Sequence, residues 1–326
     1  MKKSMTVLSL LALTLLACCF TACMSDVRDL PQEETLAAAI ADYDLIWADE
    51  FDGDKLDTTK WRAGYDLASP QHIRRAGYYE TTEDTLFVRD GALTIRTHYK
   101  SDGQYGAGWY TSWVESAIDR GHAAKPENYQ GFRATYGYYE IRCIAPPCEG
   151  MWSAFWLMPD QGAGMTDQDV PNTGSDGVEI DVMESPHYAF AEKEQNIHVL
   201  HGDGYGNGLK SDRSPAYRIP DMYSAYHTYG VLWTETEYVF YTDGRETWRS
   251  KHTVDGVTLG VSQVPEYLLM TVEIGGDNEN GNLYPGKTRG EDGSWQPFWA
   301  GNPDNNDRSR NYDFVIDYVR VYQARG

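Results

Sequence analysis

The chain has 326 residues, with 49 Asp and Glu against 28 Lys and Arg and a formal charge of −21. The negative charge is spread along the sequence, so it reads as a solvated surface, excludes a nucleic-acid partner and places neutral substrates ahead of polyanions. With an N-terminal signal set aside, about 300 residues remain, enough for one large core in a single all-β domain.

Lys2 and Lys3 precede an apolar run from Met5 to Ala17. It is too short to span a bilayer but suits the apolar region of a secretory signal. The run ends in LLACCFTAC, and a small residue before Cys18 and before Cys23 resembles the lipobox of bacterial lipoproteins, whose N-terminal Cys carries lipid. Either Cys fits. Cys23 is preferred because Ser25 and Asp26 resemble the acidic export signals of some surface lipoproteins. Residues 1–23 are therefore expected to be a lipoprotein-type signal, giving an outer-membrane protein of the cell envelope held to the membrane by its lipid. A cleaved signal, leaving a periplasmic or secreted protein, is the alternative. Residues 24–40, polar and then Ala-rich, read as a tether with a short helical turn, and 41–326 as the folded domain.

From LIWADEF (45–51) onward, short runs rich in aromatic and β-branched residues follow one another, cut by Gly, Asn, Asp and Pro: ALTIRTHY, YGYYEIRCI, GVEIDVM, NIHVLH, YHTYGVLW, YVFYTDG, YLLMTVEI and FVIDYVRVYQ. No long amphipathic helical pattern interrupts them, which predicts an antiparallel β-sandwich or jelly roll. No fixed-period repeat and no Ser/Pro-rich linker announces a second module. Cys143 and Cys148 flank IAPP; the stiff Pro pair favours buried free thiols over a disulfide. Two irregular stretches, 63–85 and 278–310, are long enough to be cleft walls or surface excursions. With 24 Tyr and 10 Trp, the chain carries aromatic surface beyond a core's needs. Trp47, Trp61, Trp233 and Tyr322 sit in strand-like patterns and read as structural, whereas Trp152 and Trp156 in EGMWSAFWLM are candidates to stack on a sugar.

Residues 178–185 read VEIDVMES. In a regular strand Glu179 and Asp181 share one face and Glu184 points to the other. A β-bulge at Val182-Met183 would bring Glu184 round to join them, and bulges are enriched beside active sites. Two Glu on one face, about 5–5.5 Å apart, suit a retaining glycosidase, in which one carboxylate attacks the anomeric carbon and the other protonates the leaving oxygen. Asp181 between them can share a proton with a neighbour. A Ca²⁺ loop would favour Asp/Asn/Gly runs over acids alternating with large apolar residues.

Several ordered motifs, WADEFDG with a later KW, GYYEIRC followed by GMWSAFWLM, EIDVMES, HTYGVLW, YVFYTDG and IDYVRVYQ, resemble the family-16 glycoside hydrolases over most of the chain from Leu45 to Gln323. The resemblance implies a β-jelly roll with a substrate cleft on its concave face. It implies Glu179 as nucleophile, Asp181 as its assistant and Glu184 as acid/base, with no cofactor for catalysis. It also implies Trp152 and Trp156 near the sugar, and a His of NIHVLH near the acid/base, matched to His201; strand parity alone does not separate His201 from His198. A structural Ca²⁺ is implied at Glu50, the Gly91 carbonyl and Asp317. HGDGYG after the motif and the long AGMTDQDVPNTGSD before it depart from glucan-cleaving relatives and bear on the substrate.

The expectation is a monomeric, retaining, endo-acting hydrolase of internal β-linkages in a polysaccharide, with β-1,3- or mixed β-1,3/1,4-glucan first. An endo-β-1,4-galactosidase acting on galactan-type or mucin glycans is the enzyme alternative. A catalytically silent, lipid-anchored glycan-binding protein is the alternative from another class.

Overall fold

A computed structural model describes residues 27–63, 73–74, 77–117, 131–159, 177–186, 194–202, 210–274, 276–277, 284–285, 287–289, 295–297 and 303–326. Two large, predominantly antiparallel sheets of nine and eleven strands dominate it. In chain order the nine-stranded sheet contains β1 (Val27–Asp29), β2 (Arg62–Ala63), β3 (Trp113–Glu115), β4 (Met151–Pro159), β5 (Glu179–Pro186), β6 (Gln195–Gly202), β7 (Lys210–Arg213), β8 (Ala216–Arg218) and β9 (Glu266–Ile274). Across the sheet the order is β1-β8-β6-β5-β4-β9-β3-β2, with β7 also paired to β6. The expected β-jelly roll is the fold.

Alternation on β9 shows how the sequence builds two surfaces from one strand. Leu268, Met270, Val272 and Ile274 enter the main core, which they share with Tyr139, Ile141, Val231, Phe240 and Ile316 of the eleven-stranded sheet. Tyr267 and Leu269, on the opposite parity, join Tyr79, Trp113, Ala154 and Trp156 in a separate apolar cluster, with Trp152 and Met158 packed against it. A strand that reads as a continuous apolar run is thus buried on both faces, one against the second sheet and one beneath the outer surface. Trp61 and Trp233 are fully buried, Trp47 packs on the core edge and Tyr322 on a third cluster, as their strand-like settings predict. Cys143 and Cys148 are buried free thiols.

The stretch expected as a tether is folded onto the domain from Val27 onward. Its first residues pair in parallel with Ala216–Arg218, and Thr35 and Leu36 donate backbone bonds to the Gly244 carbonyl. Glu34 pairs with Arg245 at 2.8 Å. Its polar and Ala-rich composition suggested a linker; edge hydrogen bonds, an ion pair and the packing of Leu30, Leu36 and Ile40 against the apolar clusters dock it. The stretch 63–85 is likewise less irregular than its composition suggests: Gly77–Tyr79 pairs in parallel with Gly108–Thr111, and Tyr79 donates to the Val272 carbonyl at 3.1 Å. Within 278–310, Lys287–Arg289 pairs with Trp295–Pro297. The signal with Cys18 and Cys23, and AGMTDQDVPNTGSD, lie outside the described residues. Among the described residues no helix is long and apolar enough to cross a membrane.

Candidate active site

The bulge lies where the parity of VEIDVMES requires it. Asp181 stands opposite Val199 and Glu184 opposite Ile197, so two residues of β5, Val182 and Met183, face the single residue His198 of β6. On the other side, Asp181 is opposite Trp156 and Met183 opposite Phe155. Both Val182 and Met183 consequently turn into the main core, each fully buried, and Glu184 emerges on the face of Glu179 and Asp181. An extra residue leaves backbone groups without ladder partners. Side chains of β6 take them up: Glu184 N–H donates to Asn196 Oδ1 at 3.1 Å, and His198 Nδ1–H donates to the Val182 carbonyl at 2.7 Å.

These contacts also separate the two histidines. His198 is fully buried, with Nε2 at 2.9 Å from Thr247 Oγ1, and burial pushes its pKa down to about 4. It is a core residue that clasps the bulge. His201 stands opposite Glu179 on the acid face, with Nε2 at 3.3 Å from Asp181 Oδ2 and Nδ1 at 2.6 Å from Ser211 Oγ.

Register extends this face across the sheet. Trp156 is opposite Leu269, Ala154 opposite Thr271 and Trp152 opposite Glu273; Leu269 is opposite Glu115 and Thr271 opposite Trp113. On the far side, Val199 is opposite Arg213. The acids are therefore flanked by an aromatic floor on β4, β9 and β3 and by an exposed cation on β7. Trp156 is 8% exposed, donates from Nε1 to Thr271 Oγ1 at 3.1 Å and meets Trp113 edge-on at 5.5 Å. Trp152 is half-buried. Of the two candidates to stack on a sugar, Trp152 thus has surface to offer, while Trp156 chiefly forms the floor beside it.

Burial sets the electrostatics. Asp181 is 3% and Glu184 4% exposed. Removal from water pushes the Asp181 carboxyl up to about 8, with Arg213 opposing the rise and Glu273 adding to it. Burial likewise raises Glu184 well above the carboxylate range, and the neighbouring Asp181 charge raises it further. Two close carboxyls of this kind resist ionising together. The arrangement keeps a proton in the site at neutral pH, which a general acid needs.

Among the described residues, ligand atoms of Glu179, Asp181 and His201 lie within 4.8 Å of one another, the one such group of three. The residues implied for Ca²⁺ are elsewhere, beside the middle of the strand Tyr312–Ala324. Asp49 is opposite Val319 and Leu93 opposite Ile316, so the segments carrying Glu50 and Gly91 arrive on either side of Asp317. The register against Gly137–Ile144 shifts there, with Arg142 opposite Tyr318 and Cys143 opposite Ile316, leaving Asp317 unmatched. Gly91 follows Asp90 in a tight turn with φ of 74° and 54°. Both carboxylates are taken by arginine. Glu50 accepts two 2.8 Å bonds from Arg320, which hold its pKa down, and Asp317 pairs with Arg142. A cation would need Asp317 released from Arg142, whose guanidinium also lies 4.5 Å over the Tyr226 ring.

Arg213, Asn196, Trp113, Thr271 and Glu273 carry no motif of their own. The strand order β7-β6-β5-β4-β9-β3 brings them to the acids.

A family model described as the β-porphyranase A–D GH16 domain matches residues 46–324. The chain is 27% identical to a β-glucanase of Rhodothermus marinus, covering 86% of this chain and 85% of that protein. It is 25% identical to a keratan-sulfate endo-1,4-β-galactosidase of Sphingobacterium multivorum, covering 87% of this chain and 56% of the relative. It spans 41% of the length of another curated relative. The fold is similar to the catalytic domain of an endo-1,3-β-glucanase (laminarinase) from Thermotoga petrophila RKU-1, with a TM-score of 0.59, 22% identity and coverage of 87% and 99%. With the family model spanning nearly the whole described domain and the bulged acid strand at its centre, the chain belongs to the family-16 glycoside hydrolases, in the group described by the β-porphyranase A–D domain.

Proposed function

We propose that this chain is a retaining, endo-acting glycoside hydrolase that cleaves internal β-linkages of a polysaccharide, with β-1,3- or mixed β-1,3/1,4-glucan as its substrate class. The observation that carries the reading is the bulge at Val182 and Met183, which gathers Glu179, Asp181 and Glu184 on one face. In the first step a Glu179 oxygen bonds to the anomeric carbon as the glycosidic C–O bond breaks, and Glu184 gives its proton to the departing oxygen. In the second, Glu184 takes a proton from water, the water oxygen bonds to the anomeric carbon, and Glu179 leaves as carboxylate. Asp181, in contact with His201, shares the proton load between the two Glu. Trp152 stacks on a sugar ring bound along the face.

The β-glucanase relative supports the glucan reading. A second reading, a β-1,4-galactosyl linkage, is supported by the endo-1,4-β-galactosidase relative. Digestion of a panel of glucans, galactans and mucin glycans, with products resolved by mass, tests both. Internal cleavage of glucan alone upholds the first, cleavage of galactosyl linkages alone replaces it with the second, and binding without cleavage returns the chain to a glycan-binding role.

Three further properties belong to the same reading. The protein works as a monomer, which its sedimentation tests. It is anchored at the cell envelope through Cys23, a reading supported by LLACCFTAC and overturned if neither Cys23→Ala nor Cys18→Ala releases it from membranes. A structural Ca²⁺ sits where Glu50, Gly91 and Asp317 meet.

A further inference from the structure

Glu266 is a buried acid that the hydrolysis above does not use. It lies at the start of β9 on the core parity and is fully buried. Three segments meet at this residue. Its backbone exchanges bonds of 3.0 and 3.1 Å with Ala134, it stands opposite Pro159 at the end of β4, and its side chain reaches the residue before β5, where Val178 N–H donates to Glu266 Oε1 at 3.2 Å. Val178 directly precedes Glu179. Val178 and Ile180 both lie in the core, so Glu266 acts on the nucleophile from beneath the sheet, through the backbone, without touching substrate.

An ionised carboxylate in the interior of a sandwich is costly unless a cation pairs with it. Among the described residues no arginine, lysine or histidine pairs with Glu266. The groups that face it are Tyr139 of the second sheet, Tyr238 of the same sheet, the Ser262 hydroxyl, and Glu179 across β5. Tyr238 is itself engaged, accepting the Ser262 N–H at 2.7 Å. None of these compensates a negative charge as a cation would, and Glu179 adds to the penalty.

We propose that Glu266 is a positioning residue for this reaction: as a neutral carboxylic acid it fixes the start of β5 through Val178 and so holds Glu179 in place on the acid face. The inference rests on Glu179 being the nucleophile. Burial raises the Glu266 pKa from the usual 4.5 to about 8, with the neighbouring Ser262 hydroxyl and the Val178 N–H opposing the rise and the Glu179 charge adding to it. A carboxyl raised in this way contributes its full stability below the unfolded value, and that contribution is lost as pH rises toward the folded value. The loss for Glu266 therefore falls between about pH 4.5 and pH 8.

Glu266→Gln keeps an acceptor for Val178 N–H and cannot ionise, which makes it the informative variant. Its melting temperature relative to the intact protein should climb between pH 4.5 and pH 8 and then level off, and its kcat on the polysaccharide that the intact protein cleaves should stay within about twofold near pH 6. Glu266→Ala, which leaves Val178 N–H unpaired, should lose about tenfold or more in kcat with KM little changed, the signature of a displaced reacting group. A melting difference that does not vary with pH overturns the neutral acid. A Glu266→Gln variant that is folded but as slow as Glu266→Ala, or a Glu266→Ala variant with the kcat of the intact protein, overturns the positioning role; if Glu266→Ala does not fold, the Gln variant decides. Failure of the intact protein to hydrolyse any glycan removes the proposed function and this role with it, whereas normal hydrolysis with a flat melting difference removes this inference alone.

Discussion

Glu184 donates its backbone N–H to Asn196 Oδ1, and this bond closes the gap that the extra residue of β5 opens in the ladder. Asn196 is fully buried, so water is not at hand to replace it. Asn196→Ala should cost about 1–3 kcal/mol, the penalty for a buried N–H left unpaired, and should lower kcat because Glu184 is no longer fixed. Chemical denaturation and steady-state kinetics check this; a variant with unchanged stability and rate would mean that the bulge is held by other means.

Arg213 is exposed on β7, and its charge favours the ionised forms of both Asp181 and Glu184. Both carboxyls have raised pKa values in the folded protein, so the protonated acid/base persists at neutral pH and activity falls as pH rises through the apparent pKa of the site. Arg213→Gln should move the alkaline limb of kcat/KM to higher pH. Because the cation is solvated, the shift should shrink as salt is added. A limb that moves downward, or that ignores salt, would remove Arg213 from the electrostatics of the site.

Trp156 and Trp152 should respond differently to truncation. Trp156 packs edge-on to Trp113 within the floor of the site, so Trp156→Ala should destabilise by about 3–5 kcal/mol. Trp152→Ala should leave the fold largely intact and raise KM about tenfold, the worth of a stacking contact of ~1.4 kcal/mol. Equal unfolding of both variants would assign Trp152 to the core.

Chelation tests the cation at Glu50, Gly91 and Asp317. A Ca²⁺ that binds only the folded state adds about 2.7 kcal/mol at a hundredfold excess over Kd, so removing it should lower the melting temperature by several degrees while activity at saturating substrate holds. No change on chelation, with no metal found by elemental analysis, would leave Arg320 and Arg142 as the permanent partners of Glu50 and Asp317.

The contrast between β5 and its neighbours marks how far the sequence reads. The bulge was legible because three acids among Val178, Ile180, Val182 and Met183 break a period of two, a local property of one strand. His198 and His201 were not separable in the same way. They sit on opposite faces of β6, and only its register against β5 says which face carries the acids. Trp113 and Thr271 were invisible for a related reason, since β3 and β9 lie far from β5 in sequence and their adjacency leaves no local pattern; Asn196 and Arg213 lie on β6 and β7, the next strands along the chain, and were missed because nothing in their residue types marks a role. Trp156 differs from Trp152 because a Gly-flanked aromatic stretch says nothing about the Trp113 that meets it edge-on. The tether misled because composition does not say what a short segment meets: Val27–Asp29 and Glu34 are held by backbone bonds and an ion pair, and Leu30, Leu36 and Ile40 find apolar clusters to pack on.

The measurement that most directly tests the assignment of Glu179 as nucleophile and Glu184 as acid/base is azide rescue on an activated aryl glycoside of the cleaved oligosaccharide, with the product anomer read by NMR. Glu184→Ala should still form the glycosyl-enzyme, which azide intercepts to give the β-glycosyl azide. Glu179→Ala should admit azide from the vacated face and give the α-glycosyl azide. The same anomer from both variants, or inversion at the anomeric carbon by the intact protein, would contradict the retaining mechanism and the roles given to the two acids that the bulge brings together.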